Sequence, residues 1–515
     1  MKKMKFPQFC RRVSVVGFSF LKDMIYMLDG VVTLIMNVLL ATVFALCSLF
    51  APLAVDFSPT ATMHPELGFP ILNINFTTGG DYMHDPHRGI DREIRRDALL
   101  CVSNTNPDLT FQNEPIDIRG RGNSSWDGRF GDKRGYQIRF NNEREMLDAG
   151  YPARRWVLVA NAGDSTLMRN YAFYSLGRSL TNMPFSPNAW LVHLYLNGEY
   201  RGVFQLSDHV SNEGDRFNFV DGEFLFEKCV REDLYVDGDT FSMDWPNQTT
   251  QSVAEFTSLI TNINDVLRRS ARNEATRQEV ERYIDVPSMV DYYIVQELSK
   301  NIDVGLSSNR FHIRWQNGLQ RLVGGPIWDF DLSAGNITHR RFHYTEPQGI
   351  WAARYNGPAR WLRNLMNTWW FADMVAERWT QIRDNQIQDM LDRVYAKANN
   401  FSADFERNFE RWPDHLGRRW VVNPGVTTSN TVRAITTHRG AVDHFIDWIE
   451  QRKVWMDTFL ADPTPHLKMD MRNPFPIWRA ILIIMPFAIL VLAIMVSTVL
   501  IFLRARKLNH PSFHS

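Results

Sequence analysis

Residues 191–207 read LVHLYLNGEYRGVFQLS. Two runs rich in Leu, Val, Tyr and Phe meet at Asn197-Gly198, the dipeptide best suited to the two-residue turn of a β-hairpin. Upstream, WVLVANA (Trp156–Ala162) reads as a strand that runs directly into a helix opened by Asp164 and Ser165, either of which can cap free amides. Further upstream, IDIRG from Ile116 and YQIRF from Tyr136 are strand-like runs flanking a Gly- and Ser-rich loop. Downstream, GEFLFEK (Gly222–Lys228) adds a short strand. After about residue 250 the character becomes helical. SMVDYYIVQELSKN (Ser288–Asn301) places Met289, Tyr292, Tyr293 and Leu298 at helical spacing behind a serine cap. RFHIRW and RLVGGPIW then form a second strand pair around Asn317-Gly318, and residues 358–460 are mostly amphipathic helix. The expected fold class is α+β, with a β-rich N-terminal half and a helical C-terminal half, two lobes meeting over a cleft.

The chain has 515 residues, with 57 Lys+Arg against 57 Asp+Glu. A net charge of zero and no concentrated basic face give no footprint of a nucleic-acid binder. Four cysteines exclude a disulfide-built scaffold and a multi-cysteine zinc cluster. There is no HExxH and no GxSxG, so the hydrolases that those motifs define have no support.

Two uncharged apolar runs, Val31–Phe50 and Ala480–Leu503, are long enough to cross a bilayer. The leader carries Lys2, Lys3, Lys5, Arg11, Arg12 and Lys22, and the tail carries Arg504, Arg506 and Lys507. Cationic flanks stay cytoplasmic, so the reading is an integral membrane protein with both termini cytosolic. Its expected parts are a basic leader (1–30), a first transmembrane helix (31–53), an extracytoplasmic domain (56–474, core about 116–460), a second transmembrane helix (480–503) and a basic tail (504–515). The lipid bilayer is then a partner. Sequons at Asn75, Asn123, Asn247, Asn336 and Asn400 are compatible with a glycoprotein, and an oxidising compartment would let Cys101 and Cys229 pair.

Several segments hold polar residues that could carry chemistry. IRGRGNSSW (Ile118–Trp126), followed by Lys133, combines close backbone approach with the charges of Arg119, Arg121 and Lys133, which suits a polyphosphate but also an ordinary surface turn. GDSTLMRN (Gly163–Asn170) is either a site or a capped helix whose Arg169 pairs with its own acidic cap. In NIDVGLSSNRF (Asn301–Phe311), Asp303 precedes Asn309 by six positions. A phosphotransferase needs such a carboxylate for the hydroxyl proton and such an amide for Mg²⁺. In GGPIWDFDLSAGN (Gly324–Asn336), Asp329 and Asp331 follow an apolar strand, where hard cations bind, although structural aspartates in a turn give the same pattern. In the hairpin, Glu199 and Asp208 are either solvent-facing or contacts to a nucleotide and an activating ion pair.

Taken in order, IRGRGNSSW…DKRGYQIRF, RRWVLVANAGDSTLMRN, LYLNGEYRGVFQLSDHV, GEFLFEK, NIDVGLSSNRFHIRW and GGPIWDFDLSAGN resemble the CotH family of spore-coat-type atypical protein kinases. The resemblance runs from about Ile116 to about Leu460. It implies a minimal kinase-like fold that uses ATP with Mg²⁺ or Mn²⁺ to phosphorylate proteins on Ser or Thr. On that resemblance Lys133 meets the ATP phosphates, Arg121 and Asn123 line the same loop, and Arg169 matches a family arginine with either a nucleotide-binding or a structural role; Glu199 joins them as a nucleotide-binding candidate. Asp303 is the base or orienter, and Asn309, Asp329 and Asp331 are the metal-binding positions, Asp329 preferred as first ligand. The sequence departs from the family pattern at Arg139, where Lys is usual, and at Asp208, where Glu is expected. Two other readings accompany the kinase: a surface adhesion or interaction protein on the same fold, and an enzyme that transfers a group other than the γ-phosphate.

Overall fold

A computed structural model describes residues 68–77, 92–123, 125–230, 234–305, 307–339, 345–354, 360–423 and 426–463. All of them fall in the compact unit Ala61–Ser515.

The hairpin at Asn197-Gly198 is part of a closed barrel. Its strands are β1 (Ile71–Phe76), β2 (Arg96–Ser103), β3 (Phe111–Arg121), β4 (Gly135–Arg144), β5 (Ala153–Val159), β6 (Ala189–Leu196) and β7 (Glu199–Asp208), in the spatial order β1-β2-β3-β4-β5-β7-β6. All neighbours are antiparallel except β1 and β6, which close the ring in parallel, Ile71 opposite His193. Asn197 and Gly198 both have positive φ (45° and 80°) and link the paired residues Leu196 and Glu199. That conformation matches the right-handed twist of the strands, which is why the dipeptide was readable. Leu72, Ile74, Leu100, Val102, Ile118, Ile138, Trp156, Leu158 and Leu194 are fully buried in the core that the barrel strands share.

A five-stranded sheet follows, formed by β8 (Phe224–Cys229), β9 (Leu234–Val236), β10 (Asp239–Trp245), β11 (Asn309–Gln316) and β12 (Leu319–Gly324) in the order β12-β11-β8-β10-β9. The second Asn-Gly turn joins β11 to β12 as expected; Asn317 and Gly318 have positive φ (52° and 76°) and link the paired residues Gln316 and Leu319. A small sheet of β13 (Ile337–His339), β14 (Val421–Asn423) and β15 (Val426–Thr428) completes the β structure among the described residues. The helices are α1 (Arg169–Ser179), α2 (Thr250–Ser270), α3 (Arg277–Glu281), α4 (Val286–Ser299), α5 (Arg360–Met366), α6 (Trp369–Ile382), α7 (Gln386–Asn400), α8 (Ser402–Arg411), α9 (Asn430–Arg433) and α10 (His438–Ala461). The mixed α+β class, strands first and helices later, is therefore observed.

Several expectations are corrected. No helix among the described residues is long and apolar enough to cross a membrane. The longest, α10, carries Asp443, Asp447, Glu450, Arg452, Lys453 and Asp457. The two apolar runs at 31–50 and 480–503 lie outside the described residues. The two transmembrane helices, and the integral-membrane localisation built on them, thus have no support in the structure. Helix α1 starts later than expected, at Arg169 after Met168, yet the Asp164 carboxylate does accept from its first amide, Arg169 N (2.9 Å), while Ser165 Oγ donates to His415 O (3.2 Å). Helix α4 is capped by Asp285, whose side chain accepts from Ser288 N, and not by Ser288 itself. Cys101 and Cys229 are free thiols. Asn336 has no exposed surface, so it is no glycan acceptor in the folded chain.

Helix α8 locks the start of β1 to the barrel through Asp404. One Oδ accepts from Gly68 N (2.9 Å), Phe69 N (2.8 Å) and His193 Nε2 (2.8 Å). Burial pushes the Asp404 carboxyl up, but these donors outweigh it and hold it below the usual carboxylate range. A depressed folded-state pKa stabilises above the unfolded value and is lost as pH falls through the folded one. Asp404→Ala strips partners from two amides and a buried imidazole at once. We expect a loss of about 3 kcal/mol in denaturant unfolding, with the difference from wild type shrinking in acid.

Candidate active site

Strand β12 ends at Gly324, and the chain then turns through Trp328, Asp329 and Asp331. Asp329 has φ +66°, a left-handed conformation uncommon for a residue with a side chain. Three bonds hold it there. Its N–H donates to Tyr174 Oη (3.3 Å), its carbonyl accepts from Asn301 Nδ2 (3.0 Å), and its carboxylate accepts from Ser308 Oγ (3.3 Å). Strained backbone of this kind persists only where the surroundings over-determine it, and it concentrates at functional positions.

The two carboxylates influence each other. Burial pushes the Asp329 carboxyl up, with Arg121 opposing it. Asp331 is driven well up by burial and by the charges of Asp329 and Asp164. On one side stand Arg121, its guanidinium 4.9 Å from the Trp328 ring centroid, and Arg310, 5.9 Å from the same ring. Burial lowers the Arg121 pKa while Asp329 supports its charge. Arg310 is anchored by Glu227 (3.3 Å) and by Asp244. On the other side Asp164 pairs with Arg169 and also accepts from Arg169 N (2.9 Å). Arg169 Nε donates to Ser333 O (3.1 Å), tying the start of α1 to the turn after Asp331. The pairing of Arg169 with its own acidic neighbour is thus present, and it also carries a long-range contact.

Lys133 is completely buried beside β7. Its Nζ donates to Val203 O (2.6 Å) and lies 5.1 Å from the Phe204 ring centroid. Burial pushes its pKa down to about 7, with Asp164 opposing. Asp303 sits in a turn between α4 and β11. Asn301 Oδ1 accepts from Asp303 N (3.1 Å), so one asparagine holds both the Asp303 and the Asp329 backbones. Asn309 is buried, and its Nδ2 donates to the carbonyls of Val304 (2.9 Å) and Ser307 (3.2 Å) while its Oδ1 accepts from Tyr292 Oη (3.4 Å). It therefore shapes the loop that carries Asp303.

Arg121, Asp164 and Arg169 act on the Asp329–Asp331 pair directly; Lys133 feels Asp164, and the Asp303–Asn309 loop is tied by its backbone to the Asp329 turn through Asn301. Asn123 and Glu199 are engaged elsewhere. Asn123 is exposed and accepts from Arg92 (3.4 Å), while Glu199 pairs with Arg201 (3.2 Å) and Arg411 (2.8 Å). Asp208, left open between two roles, is fully buried and saturated by Tyr151 (2.9 Å), Asn188 N (2.7 Å) and Arg216 (2.9 Å). The sequence foreshadows the Asp164–Arg169 pairing but not the influence of Asp164 on Asp331, nor the parts taken by Asn301, Ser308, Arg310 and Trp328. All but Asp164 lie beside or within the NIDVGLSSNRF and WDFD blocks, and Asp164 lies in GDSTLMRN, so closer attention to block neighbours was the available signal.

A family model described as CotH kinase protein matches residues 118–456, more than half of the chain. The chain belongs to the CotH kinase protein family. No curated protein matches it. Kinase families use ATP and a divalent cation in general. Among the described residues no group of three or more His, Cys, Asp or Glu is placed to hold a metal. The donors present still fit a hard cation of the Mg²⁺ type, which is commonly bound by one or two carboxylates while water and substrate phosphates complete the shell.

A carboxyl with a raised folded-state pKa stabilises below its unfolded value, and that stability disappears as pH rises through the folded one. Asp331→Asn removes this cost at neutral pH. We expect the cation-free variant to melt higher than wild type by roughly 2 °C per kcal/mol relieved, the gap closing in acid. Mn²⁺ should raise the wild-type melting temperature increasingly with pH and leave Asp331→Asn unmoved.

Proposed function

We propose that this chain is an ATP- and divalent-metal-dependent protein kinase acting on Ser or Thr. The observation that carries the reading is the Asp329–Asp331 pair, a concentration of unfavourable negative charge flanked by Arg121 and Arg310 on one side and by Arg169 on the other. A doubly charged cation, when bound, would neutralise these carboxylates and the phosphates together.

The residues of this chain divide the remaining work. Asp329 and Asp331 supply the hard oxygen donors. Arg121 and Arg310, braced on Trp328, offer fixed positive charge to a phosphate tail, and preorganised charge of this kind needs no rearrangement during transfer. Lys133 offers a cation with little conformational freedom, and an approaching phosphate would favour its protonated form. Asp303, half-buried on its turn, accepts or orients the proton of the acceptor hydroxyl. Asn309 acts through the loop it ties. Family membership and the gathered carboxylates support this over an adhesion protein, for which none of this charge arrangement is needed.

The test is incubation of the protein with labelled ATP, Mn²⁺ and a Ser-rich acceptor. We expect Asp329→Ala and Asp303→Asn to lower phosphoserine formation by about a hundredfold or more, and Lys133→Met by at least about tenfold. Undiminished labelling in Asp329→Ala and Asp303→Asn would overturn the reading. Mass spectrometry of the acceptor distinguishes phosphate from any other transferred group.

A further inference from the structure

Helices α3 and α6 enclose a cleft of about 440 Å³ that shares no residue with the site above. Its walls include Trp369, Trp370, Met374, Asp373, Glu377 and Arg277. Trp369 is 70% exposed, unusual for so large an indole. Trp369, Asp373 and Glu377 follow one another at four-residue intervals on α6, so they share one helix face. Neither carboxylate is in an ion pair among the described residues.

We propose that this cleft is a docking site for a Lys- or Arg-bearing segment of a partner protein. Charge complementarity commits it to that occupant. Two carboxylates without an ion pair attract a cation, the exposed Trp369 indole offers it a π system, and Met374 and Ala275 offer apolar wall to its aliphatic stem. The cleft already contains one instance of the contact: the Arg277 guanidinium lies 5.7 Å from the Trp370 ring centroid. The charge of Arg277 is met by Glu281 at 2.7 Å, so it does not cancel Asp373 and Glu377. The Trp369 face remains open for an incoming side chain.

The experiment is fluorescence-polarisation binding of a labelled oligo-arginine peptide to the full chain, with oligo-glutamate as control. We expect saturable, salt-sensitive binding of oligo-arginine alone, undisturbed by excess Mg-ATP. The Asp373→Asn/Glu377→Gln double variant should weaken it about tenfold and Trp369→Ala about fivefold. Equal affinity in wild type and both variants, comparable binding of oligo-glutamate, or displacement by Mg-ATP would each overturn the proposal. Because the readout is binding at surface positions, loss of kinase activity in the other site leaves it intact.

Discussion

Two carboxylates separated by one residue, partly withdrawn from water, repel each other and resist ionisation. That constraint organises everything around Asp329 and Asp331. In isolation such a pair destabilises a fold, since each negative charge raises the cost of the other. The chain retains it, holds Asp329 in a strained left-handed conformation with bonds from Tyr174, Asn301 and Ser308, and places arginines on both flanks. An arrangement that costs stability and is nevertheless braced from three elements is the physical ground for proposing that a cation binds there.

The scaffold explains how residues about 200 positions apart meet. The barrel supplies Arg121 from the end of β3 and Lys133 from the loop before β4. The five-stranded sheet supplies Arg310, Glu227 and Asp244, and the turn after β12 supplies the acidic pair. Helix α1 closes the arrangement, because Arg169 reaches both Asp164 and the carbonyls of Ser333 (3.1 Å) and Ala334 (3.3 Å). Asn301 is the joint between the Asp303 turn and the Asp329 turn, bonding the backbone of each.

Much of this was legible where the physics is local. Both Asn-Gly turns announced their hairpins because few other dipeptides accept two positive φ values. The strands around Ile118 and Ile138 and the helix around Tyr292 followed from periodicity, and the block WDFD drew attention to the acidic pair. What stayed hidden was non-local. The barrel closes through parallel pairing of β1 with β6, whose residues are more than a hundred positions apart, and no sequence pattern encodes that register. Helix α1 starts at Arg169, later than Asp164 and Ser165 suggest, because the Asp164 carboxylate holds a turn through Thr166 N before it accepts from the first helical amide, Arg169 N. Trp328 beneath two arginines could not be foreseen from a motif that shows only its own neighbours. The apolar runs at 31–50 and 480–503 read clearly as membrane spans, yet no described helix is of that kind.

The account stands on the acidic pair binding a divalent cation jointly with a nucleotide. Mn²⁺ titration followed by electron paramagnetic resonance, with and without a non-hydrolysable ATP analogue, measures this directly. The account predicts weak binding of Mn²⁺ alone, marked tightening when the analogue is present, and loss of that tightening in Asp329→Ala. Equal Mn²⁺ affinity with and without the analogue, or an unchanged response in Asp329→Ala, would contradict it.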